Sequence, residues 1–412
     1  MVARLVVTNK NGDSVISNRW NNRGTSSNLT REFSYREAPL LKHPKLSLTL
    51  TAFLLSSSCG AALAAPNEEA AARITTIVGL TNIQQIGSTQ NIVDANGNAV
   101  DANPNPYKVI VVPENLGELK RGTVIVSNIG NDGTTGTTLV KFEPFPSTGV
   151  QLNAATSALQ GPAELSFNRD HLLVANSKGG NSIQVLRPNG SLATSITDPL
   201  FNNPWGVTTG FPRFFAPIST FFVGNKSDAK VLRVDVQDNF DGAAPTFKVT
   251  QIAQLTMMDG GETKIDMRWI PFLKVGQDFL FDVLVVQDPA NNRIAAIANA
   301  SSSSTSTGTG TTIFEGTPLN VPGGIAINPF NNDVLVVNLN DNNLVEINAA
   351  KASVVGVKAI DPLVVDAEGN NAALFGVTAT VDKKGNLLIF YTDDNTNSLN
   401  ALSAAPLVAK KD

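Results

Sequence analysis

Short hydrophobic segments recur along the chain, and most of them end in Asn. The copies are Thr123–Asn128, Leu172–Asn176, Thr220–Asn225, Val283–Gln287, Val334–Asn338 and Leu387–Tyr391. Their last residues are spaced 48, 49, 62, 51 and 53 positions apart. Because a fixed period of this size is typical of repeat architectures, the chain is predicted to contain six structural repeats.

A second segment of alternating apolar and polar residues follows each copy. These segments are Thr138–Phe142, Ser182–Leu186, Lys230–Val234, Arg293–Ile297, Asn343–Ile347 and Ser398–Leu402. Period-two alternation after a gap rich in Asn, Gly and Asp predicts a β-hairpin.

Many of these hairpins are preceded by a further strand marked by Pro or Gly, as in Gly161–Phe167, Pro204–Thr208, Pro322–Ile327 and Phe375–Thr380. Three such strands and an outer fourth make one propeller blade. The sequence therefore predicts an all-β fold, a six-bladed β-propeller with four-stranded antiparallel blades over residues 105–412. A linear solenoid is the alternative, although its repeats would normally be shorter and its ends capped.

Two segments fall outside the regular repeat. Residues 65–104 form an N-terminal segment in which the strand Ala72–Val78 is predicted to complete the last blade and close the ring. The tract Ala300–Thr312 consists of Ala, Ser, Thr and Gly and is predicted to be a mobile surface loop, since it has little apolar surface to bury.

Composition agrees with many short strands joined by turns. The 412 residues include 32 Gly and 22 Pro, and 42% are hydrophobic against 16% charged. Of 31 Lys and Arg, 8 lie within residues 1–64, whereas only 3 of 35 Asp and Glu do, so the remainder is acidic. An acidic surface without a basic stripe argues against nucleic acid as a partner.

The N-terminus predicts export. A basic start at Lys42, an apolar stretch from Leu46 to Leu55 and an Ala-x-Ala site form a signal peptide over residues 41–64, with cleavage between Ala64 and Ala65. Residues 1–40 are polar and lack periodicity, and we interpret them as a disordered leader or as upstream sequence translated from a wrongly chosen start. The apolar stretch of the signal peptide is too short to span a bilayer and no longer one follows, so the mature protein is expected to have no transmembrane segment and a periplasmic or extracellular location.

Cys59 is the only cysteine and offers a second interpretation, a lipid anchor. The match to a lipidation motif is poor, because Leu55 lies four residues before Cys59 instead of three. After cleavage at Ala64 the protein would contain neither a disulfide nor a thiol nucleophile.

The unit Pro-x-Gly-(Ile/Val)-Ala, followed by a strand ending in Asn and by Asn-x-hydrophobic, resembles the repeats of bacterial NHL-repeat six-bladed propellers. Its clearest copy is Val321 to Ile347, and the resemblance covers roughly residues 105 to 405. This superfamily also includes gluconolactonase-like hydrolases, which bind a divalent cation in the central channel. Propellers host enzymes, binding scaffolds and structural proteins alike, so the resemblance indicates fold more than function.

Catalytic side chains are scarce. His171 is the only histidine after the predicted cleavage site, so a Ser-His-Asp triad in the mature chain would need it, and a site with several histidines is impossible within one mature chain. Its place after Asn168-Arg169-Asp170, at a turn that opens a strand, favours a structural role. No catalytic residue is assigned.

The resemblance implies one candidate ligand set, Glu164, Asn176, Asn225 and Asn338, at strand ends that could face the channel. Oxygen ligands of this kind suit a single Ca²⁺. The alternative is that each Asn bonds the backbone of a neighbouring turn, so no cofactor or metal is confidently expected. The irregular charged segment Met257–Glu262 could line a pocket, and Trp205 is interpreted as a packing residue between blades.

Three functions are therefore compared. The residues favour an exported, non-enzymatic scaffold that binds a protein or small ligand through its loop faces. The alternatives are a calcium-dependent lactonase or esterase of the gluconolactonase type and a structural protein of the cell envelope.

Overall fold

A computed structural model describes residues 73–407, apart from residue 95 and segments 132–134, 145–149, 178–180, 211–218, 238–244 and 362–372. The predicted leader, the signal peptide with Ala64 and Ala65, and Cys59 lie outside the described residues. Within the described ranges, no helix is long and apolar enough to cross a membrane.

Regular structure in these ranges is almost entirely β-strand, with two short 3-10 helices at Ile77–Gly79 and Pro289–Asn291. The strands are β1 Asn82–Ser88, β2 Asn91–Val93, β3 Ala99–Asp101, β4 Pro106–Val111, β5 Val124–Asn128, β6 Thr138–Phe142, β7 Val150–Ala155, β8 Pro162–Asn168, β9 His171–Asn176, β10 Ser182–Leu186, β11 Leu192–Thr197, β12 Pro204–Thr209, β13 Ser219–Asn225, β14 Lys230–Val236, β15 Phe247–Gln254, β16 Met267–Val275, β17 Asp278–Asp288, β18 Arg293–Ile297, β19 Thr311–Glu315, β20 Pro322–Ile327, β21 Val334–Asn338, β22 Asn343–Asn348, β23 Ser353–Ala359, β24 Leu374–Val381, β25 Leu387–Asp393 and β26 Ser398–Ser403. All twelve strands of the predicted hairpins are present.

The chain is a β-propeller with four-stranded antiparallel blades. Five sheets have four strands, namely β8–β11, β12–β15, β16–β19, β20–β23, and β24–β26 completed by β1. The prediction of six four-stranded blades was wrong, because five sheets have this form and the sheet of β4–β7 has six strands. There the β2–β3 hairpin adds to the outer edge of β7, and its Ile92 is buried among Val109 and Phe142.

One edge strand of each sheet lies innermost. Strands β4, β8, β12, β16, β20 and β24 contact one another in this order, and β24 contacts β4 again, so the inner strands form a closed ring. We call the end of the ring where these strands begin the upper face, and the end where they turn into the second strands the lower face. The loops from second to third strands, and those between sheets, therefore lie at the upper face.

Burial explains why the second strands read as continuous apolar runs. Strands β5, β9, β13 and β21 are buried at every position, because each lies between two strands of its own sheet and between neighbouring sheets. Leu335 and Val337 on β21, for example, share one core with Leu387 and Ile389 on β25. Strands buried on both faces cannot alternate in polarity.

Strand β1 closes the ring, and the prediction that Ala72–Val78 does so was wrong. β1 pairs antiparallel with β26, from Asn82 opposite Ser403 to Ser88 opposite Ser398. The preceding residues form a 3-10 turn, whose Ile77 N–H donates to the buried Glu346 carboxylate at 2.8 Å. Ile77 is completely buried and packs in the core between two blades, so this turn cannot serve as an edge strand.

The tract Ala300–Thr312 is fastened to the ring instead of extending freely from it. Ser301 N–H donates to Asp282 at 2.8 Å, and the Arg233 guanidinium donates to the Ser303 carbonyl at 2.6 Å. The Ser306 N–H donates to the carbonyl of Gln251 on β15 at 3.1 Å. These hydrogen bonds attach the tract to neighbouring strands although it has little apolar surface to bury. They correct the expectation of a mobile loop.

Candidate functional site

The third residue of the inner strands faces the centre of the ring. In three blades it is Gly206, Gly324 or Gly376, and a Cβ atom on any of these would collide with a backbone carbonyl oxygen of the next inner strand. Glycine therefore permits the close approach of neighbouring inner strands.

Charged residues occupy the same position in the other three blades. They are Lys108 on β4, Glu164 on β8 and Asp266 immediately before β16. Lys108 Nζ lies 2.9 Å from Glu164 Oε1 and 2.6 Å from Asp266 Oδ2. Because β4 and β16 are opposite one another in the ring of inner strands, the second contact crosses its centre.

Arg268 on β16 completes this group, which we call the central charge cluster: Lys108, Glu164, Asp266 and Arg268. Its Nη1 lies 2.8 Å from Asp266 Oδ1 and 3.8 Å from Glu164 Oε2. Lys108, Glu164 and Asp266 are buried, and Arg268 is partly exposed. Two cations thus lie against two carboxyl groups, which gives each buried charge a partner of opposite sign or a hydrogen-bonding group.

The two carboxylates differ in their hydrogen bonding. Asp266 also accepts the Ile325 N–H at 2.8 Å and the Met267 N–H at 2.6 Å. Burial acts to raise the pKa of Asp266, but Arg268, Lys108 and the hydrogen bond from the Ile325 N–H outweigh burial and lower it. Asp266 is therefore the ionised member of the pair.

Glu164 is the weaker acid. Burial and the neighbouring charge of Asp266 raise its pKa from 4.5 to about 8, although Lys108 and Arg268 act in the opposite direction. Its Oε2 atom is buried and accepts no hydrogen bond within the described part of the chain. A carboxyl group in this state can hold a proton near neutral pH.

Three aromatic rings lie one residue nearer the upper face. Tyr107 stacks on Phe375 with ring centroids 4.5 Å apart and meets the edge of Trp205 at 4.9 Å. The Trp205 Nε1–H donates to Tyr107 Oη at 3.1 Å. Burial, together with the charges of Glu164 and Asp266, raises the pKa of Tyr107 well above its usual range. This layer covers the central charge cluster, so Trp205 packs with Tyr107 and Phe375 over the centre of the ring.

Two lysines lie above these rings, and with Trp205 and Phe375 they form what we call the lysine–aromatic site. Lys226 Nζ is 4.9 Å from the Trp205 ring centroid, and Lys264 Nζ is 5.3 Å from it and 5.5 Å from that of Phe375. Such contacts hold an ammonium group over a ring face. Glu262, from the irregular segment noted in the sequence, pairs with Lys226 at 2.9 Å.

The positive charge of Lys264, unlike that of Lys226, is not neutralised by a paired carboxylate. Within the described ranges its Nζ forms neither a hydrogen bond nor an ion pair, and its contacts are the two rings. Burial and the charge of Lys226 lower the pKa of Lys264, while Glu262 and Asp394 act to raise it. A partly desolvated cation of this kind gains from an added anion.

The structure separates the residues that the sequence grouped as a ligand set. Glu164 faces the channel, where its partner is the ammonium of Lys108. Asn176, Asn225 and Asn338 end the second strands of three different blades and donate to the carbonyls of Ala158, Leu200 and Pro318, each at 2.8 Å. The four side chains do not surround a common point, and the Ca²⁺ implied by the resemblance does not fit them.

The Asn residues instead follow a repeated rule. Each donates to the loop that leads into the inner strand of its own blade, and Gln287 does the same to Lys264, whereas Asn128 donates to Thr89 between β1 and β2. The turn-bonding alternative from the sequence describes these side chains. Among the described residues, no group of three or more His, Cys, Asp or Glu is arranged for a metal.

His171 begins β9 at the lower face, away from the lysine–aromatic site. It is buried, and its Nδ1 lies 3.0 Å from Asp170 Oδ1. This placement is consistent with the structural role expected from the sequence.

Sequence reasoning missed Lys108, Asp266, Lys226 and Lys264. A signal for one of them was present, because Pro106-Tyr-Lys108 aligns with Pro162-Ala-Glu164 and Pro204-Trp-Gly206. A charged residue at the position that aligns with one of these glycines indicates a charged side chain at the centre of the ring. Lys226 and Lys264 lie in loops that do not align from one repeat to the next, so no such signal was available for them.

Comparison with solved structures shows the fold alone. A Bacteroides thetaiotaomicron VPI-5482 protein of unknown function gives a TM-score of 0.50 at 10% identity, covering 78% of this chain and 75% of that chain. A streptogramin B lyase gives 0.46 at 13% identity, covering 78% and 97%, and a protein described as a candidate gluconolactonase gives 0.42 at 12%, covering 80% and 97%. No protein-family profile and no curated protein sequence matches this chain.

Proposed function

We propose that this chain is a binding scaffold that holds a small organic carboxylate at the upper face of the propeller. The observation that carries this proposal is Lys264, whose ammonium lies beside Lys226 with aromatic rings as its contacts. A carboxylate would satisfy both ammonium groups by charge-assisted hydrogen bonds.

The rings of Trp205 and Phe375 act as support for the lysines. Both rings are almost fully buried beneath the lysines, so they hold the ammonium groups in position and offer a ligand little contact area. A positioned cation loses less side-chain entropy on binding than a free one. Recognition would therefore depend on the anionic group of the ligand.

No reaction step is part of this proposal. Glu164, the carboxyl group with the raised pKa, lies beneath the aromatic layer and is already paired with Lys108. The residues that could transfer a proton are thus separated from the lysines that would bind a ligand.

Thermal unfolding of the full chain with acetate and benzoate, compared with acetamide and benzamide, tests the proposal. A ligand that binds only the folded state raises the melting temperature. We expect the carboxylates to raise it and the neutral amides not to. Lys264→Met should weaken carboxylate binding about tenfold or more, whereas Lys230→Met, which removes a lysine paired with Asp228, should not.

Equal shifts with carboxylates and amides would contradict the proposal. Binding that is unchanged in Lys264→Met would also do so.

Three finer assignments belong to the same proposal. The six-stranded sheet serves as a sixth blade, because its β4 completes the ring of inner strands. The repeats are of the NHL type, and the chain is exported after cleavage between Ala64 and Ala65. N-terminal sequencing of the native protein tests the last point, and a mature chain starting at Cys59 would indicate the lipid-anchored alternative.

A further inference from the structure

The backbones of Lys226 and Lys264 are held beside one another. The loop that carries Lys264 is hydrogen-bonded to the loop that carries Lys226, because the Thr263 N–H donates to the Lys226 carbonyl at 2.8 Å. On its other side, the Gln287 side-chain amide donates to the Lys264 carbonyl at 2.7 Å. Thr263 and Gln287 are completely buried, so both lysine backbones are fixed before a ligand binds.

The two amines differ in their partners. Lys226 is buried, and its Nζ pairs with Glu262 at 2.9 Å. Lys264 is partly exposed, and within the described ranges no carboxylate pairs with its Nζ, which contacts the rings of Trp205 and Phe375. Lys264 therefore presents an amine that a small molecule at the upper face can reach and that no acid occupies.

An amine in this setting is a nucleophile toward a carbonyl carbon. Burial and the neighbouring charge of Lys226 lower the pKa of Lys264, and the opposite effects of Glu262 and Asp394 do not cancel this change. A larger fraction of Lys264 than of an ordinary lysine thus carries a free electron pair at neutral pH. Lysines that are desolvated or lie beside another cation form Schiff bases with carbonyl compounds.

We propose that Lys264 captures a small 2-oxo carboxylic acid as a reversible Schiff base, while Lys226 holds the carboxylate of the ligand. This inference rests on the carboxylate binding proposed above and names the class of carboxylate. The two lysine nitrogens lie 4.9 and 5.3 Å from the centroid of one indole ring, so the carboxylate and the carbonyl of the ligand must also be close together. A ketone attached directly to the carboxylate meets this requirement.

The step needs neither an oxidant nor a reductant. The neutral Lys264 nitrogen donates its electron pair to the ketone carbon, the ketone oxygen takes up a proton, and the nitrogen loses one, which gives a carbinolamine. The hydroxyl group then takes up a proton and leaves as water, while the nitrogen electron pair forms the C=N bond. The protonated imine keeps a positive charge beside the carboxylate. Water carries the protons, and hydrolysis reverses the step.

Reductive trapping with the full chain tests this inference. Cyanoborohydride reduces an imine to a stable secondary amine, so pyruvate would leave a carboxyethyl group on the lysine, and peptide mass spectrometry would locate it. We expect pyruvate to label Lys264 about tenfold faster or more than Lys230, which is paired with Asp228. The preference for Lys264 over Lys230 should be smaller with acetone, a ketone that lacks the carboxylate.

Reversible binding gives a second readout. Lactate has the same carboxylate as pyruvate but a hydroxyl group in place of the ketone, and we expect pyruvate to bind about tenfold more tightly. Lys264→Arg keeps a cation but cannot form an imine with a ketone, so it should remove this preference. Lys230→Met is the control and should keep it. Thermal unfolding over a range of ligand concentrations measures the affinities.

Equal labelling of Lys264 and Lys230 by pyruvate would overturn the inference. If benzoate still stabilises the protein through Lys264 in that case, the carboxylate site stands and the Schiff base alone is wrong. If pyruvate, lactate and benzoate all leave the melting temperature unchanged, the carboxylate site is wrong as well. An equal preference for Lys264 with pyruvate and acetone would show a reactive lysine that does not recognise 2-oxo acids, which also overturns the assignment.

Discussion

Lys108 on β4 reaches Asp266 across the centre of the propeller, with its ammonium nitrogen 2.6 Å from the carboxylate oxygen. The contact joins inner strands on opposite sides of the ring, and Glu164 shares the same ammonium at 2.9 Å. A single buried lysine thus connects three of the inner strands. Removing one charged partner from such a buried group is costly, because the remaining charges lose compensation that water cannot supply.

Lys108→Met should destabilise the protein by about 3–5 kcal/mol, because it removes one of the two cations that compensate the buried Asp266 carboxylate. Urea unfolding measures the change. The double variant Lys108→Met and Glu164→Met should cost less than the sum of the two single variants, since it removes both members of the pair. A loss below about 1 kcal/mol for Lys108→Met would show that Lys108 does not compensate a buried charge in the cluster.

The raised pKa of Glu164 predicts a dependence of stability on pH. Its folded pKa of about 8 exceeds its ordinary value of 4.5, so the folded state binds more protons than the unfolded state between these limits. Stability should therefore fall as pH rises from about 5 to 8. Glu164→Gln should reduce this fall by at least about 1 kcal/mol, whereas Glu143→Gln, at a partly exposed ion pair, should leave it unchanged. Urea unfolding at several pH values provides the measurement.

Gly206→Ala should separate two inner strands. The added Cβ would meet the carbonyl oxygen of Ile265, a backbone atom that cannot rotate away. We expect a loss of about 1–3 kcal/mol or more in the free energy of unfolding. Gly308→Ala is the control, because only a serine side chain lies near its Cβ and the backbone there is not left-handed. Similar losses for both variants would show that close strand approach is not the cause.

Asn225→Ala should loosen the connection between two blades. The change removes a donor to the Leu200 carbonyl, at a cost of about 1–3 kcal/mol. Asn340→Ala, which removes an exposed hydrogen bond from the Asn340 side-chain amide to Asn320, should cost less than about 0.5 kcal/mol. Thermal unfolding distinguishes the two, and equal costs would argue against a role for the repeated Asn in joining blades.

Carboxylate binding should weaken with rising pH before an ordinary lysine would deprotonate. The pKa of Lys264 lies below its usual 10.5, so its positive charge is lost earlier as the pH rises. Titration of benzoate at increasing pH measures this effect. In Lys226→Met the loss should move to higher pH, because removing the neighbouring cation raises the pKa of Lys264. A midpoint that does not move would show that the two ammonium groups are not coupled.

Much of the fold followed from the sequence because the relevant signals are local. Segments such as Val334–Asn338 and Asn343–Ile347 carry their strand pattern and their turn residues within a few positions. Blade closure was predicted less well. The pattern of Ala72–Val78 suggests a strand, but Ile77 finds its place in a core between two blades and β1 takes the edge.

The sequence by itself determined the repeated hairpins, the inner strands marked by Pro and Gly, and the Asn residues that end the second strands. Only the tertiary structure decided which residues meet at the centre. Lys108, Glu164 and Asp266 are up to 158 positions apart in the chain and acquire their roles when ring closure brings their strands together. The same holds for Lys226 and Lys264 above Trp205. Their burial and the distance between them are set by the folded ring, and neither can be read from a sequence pattern.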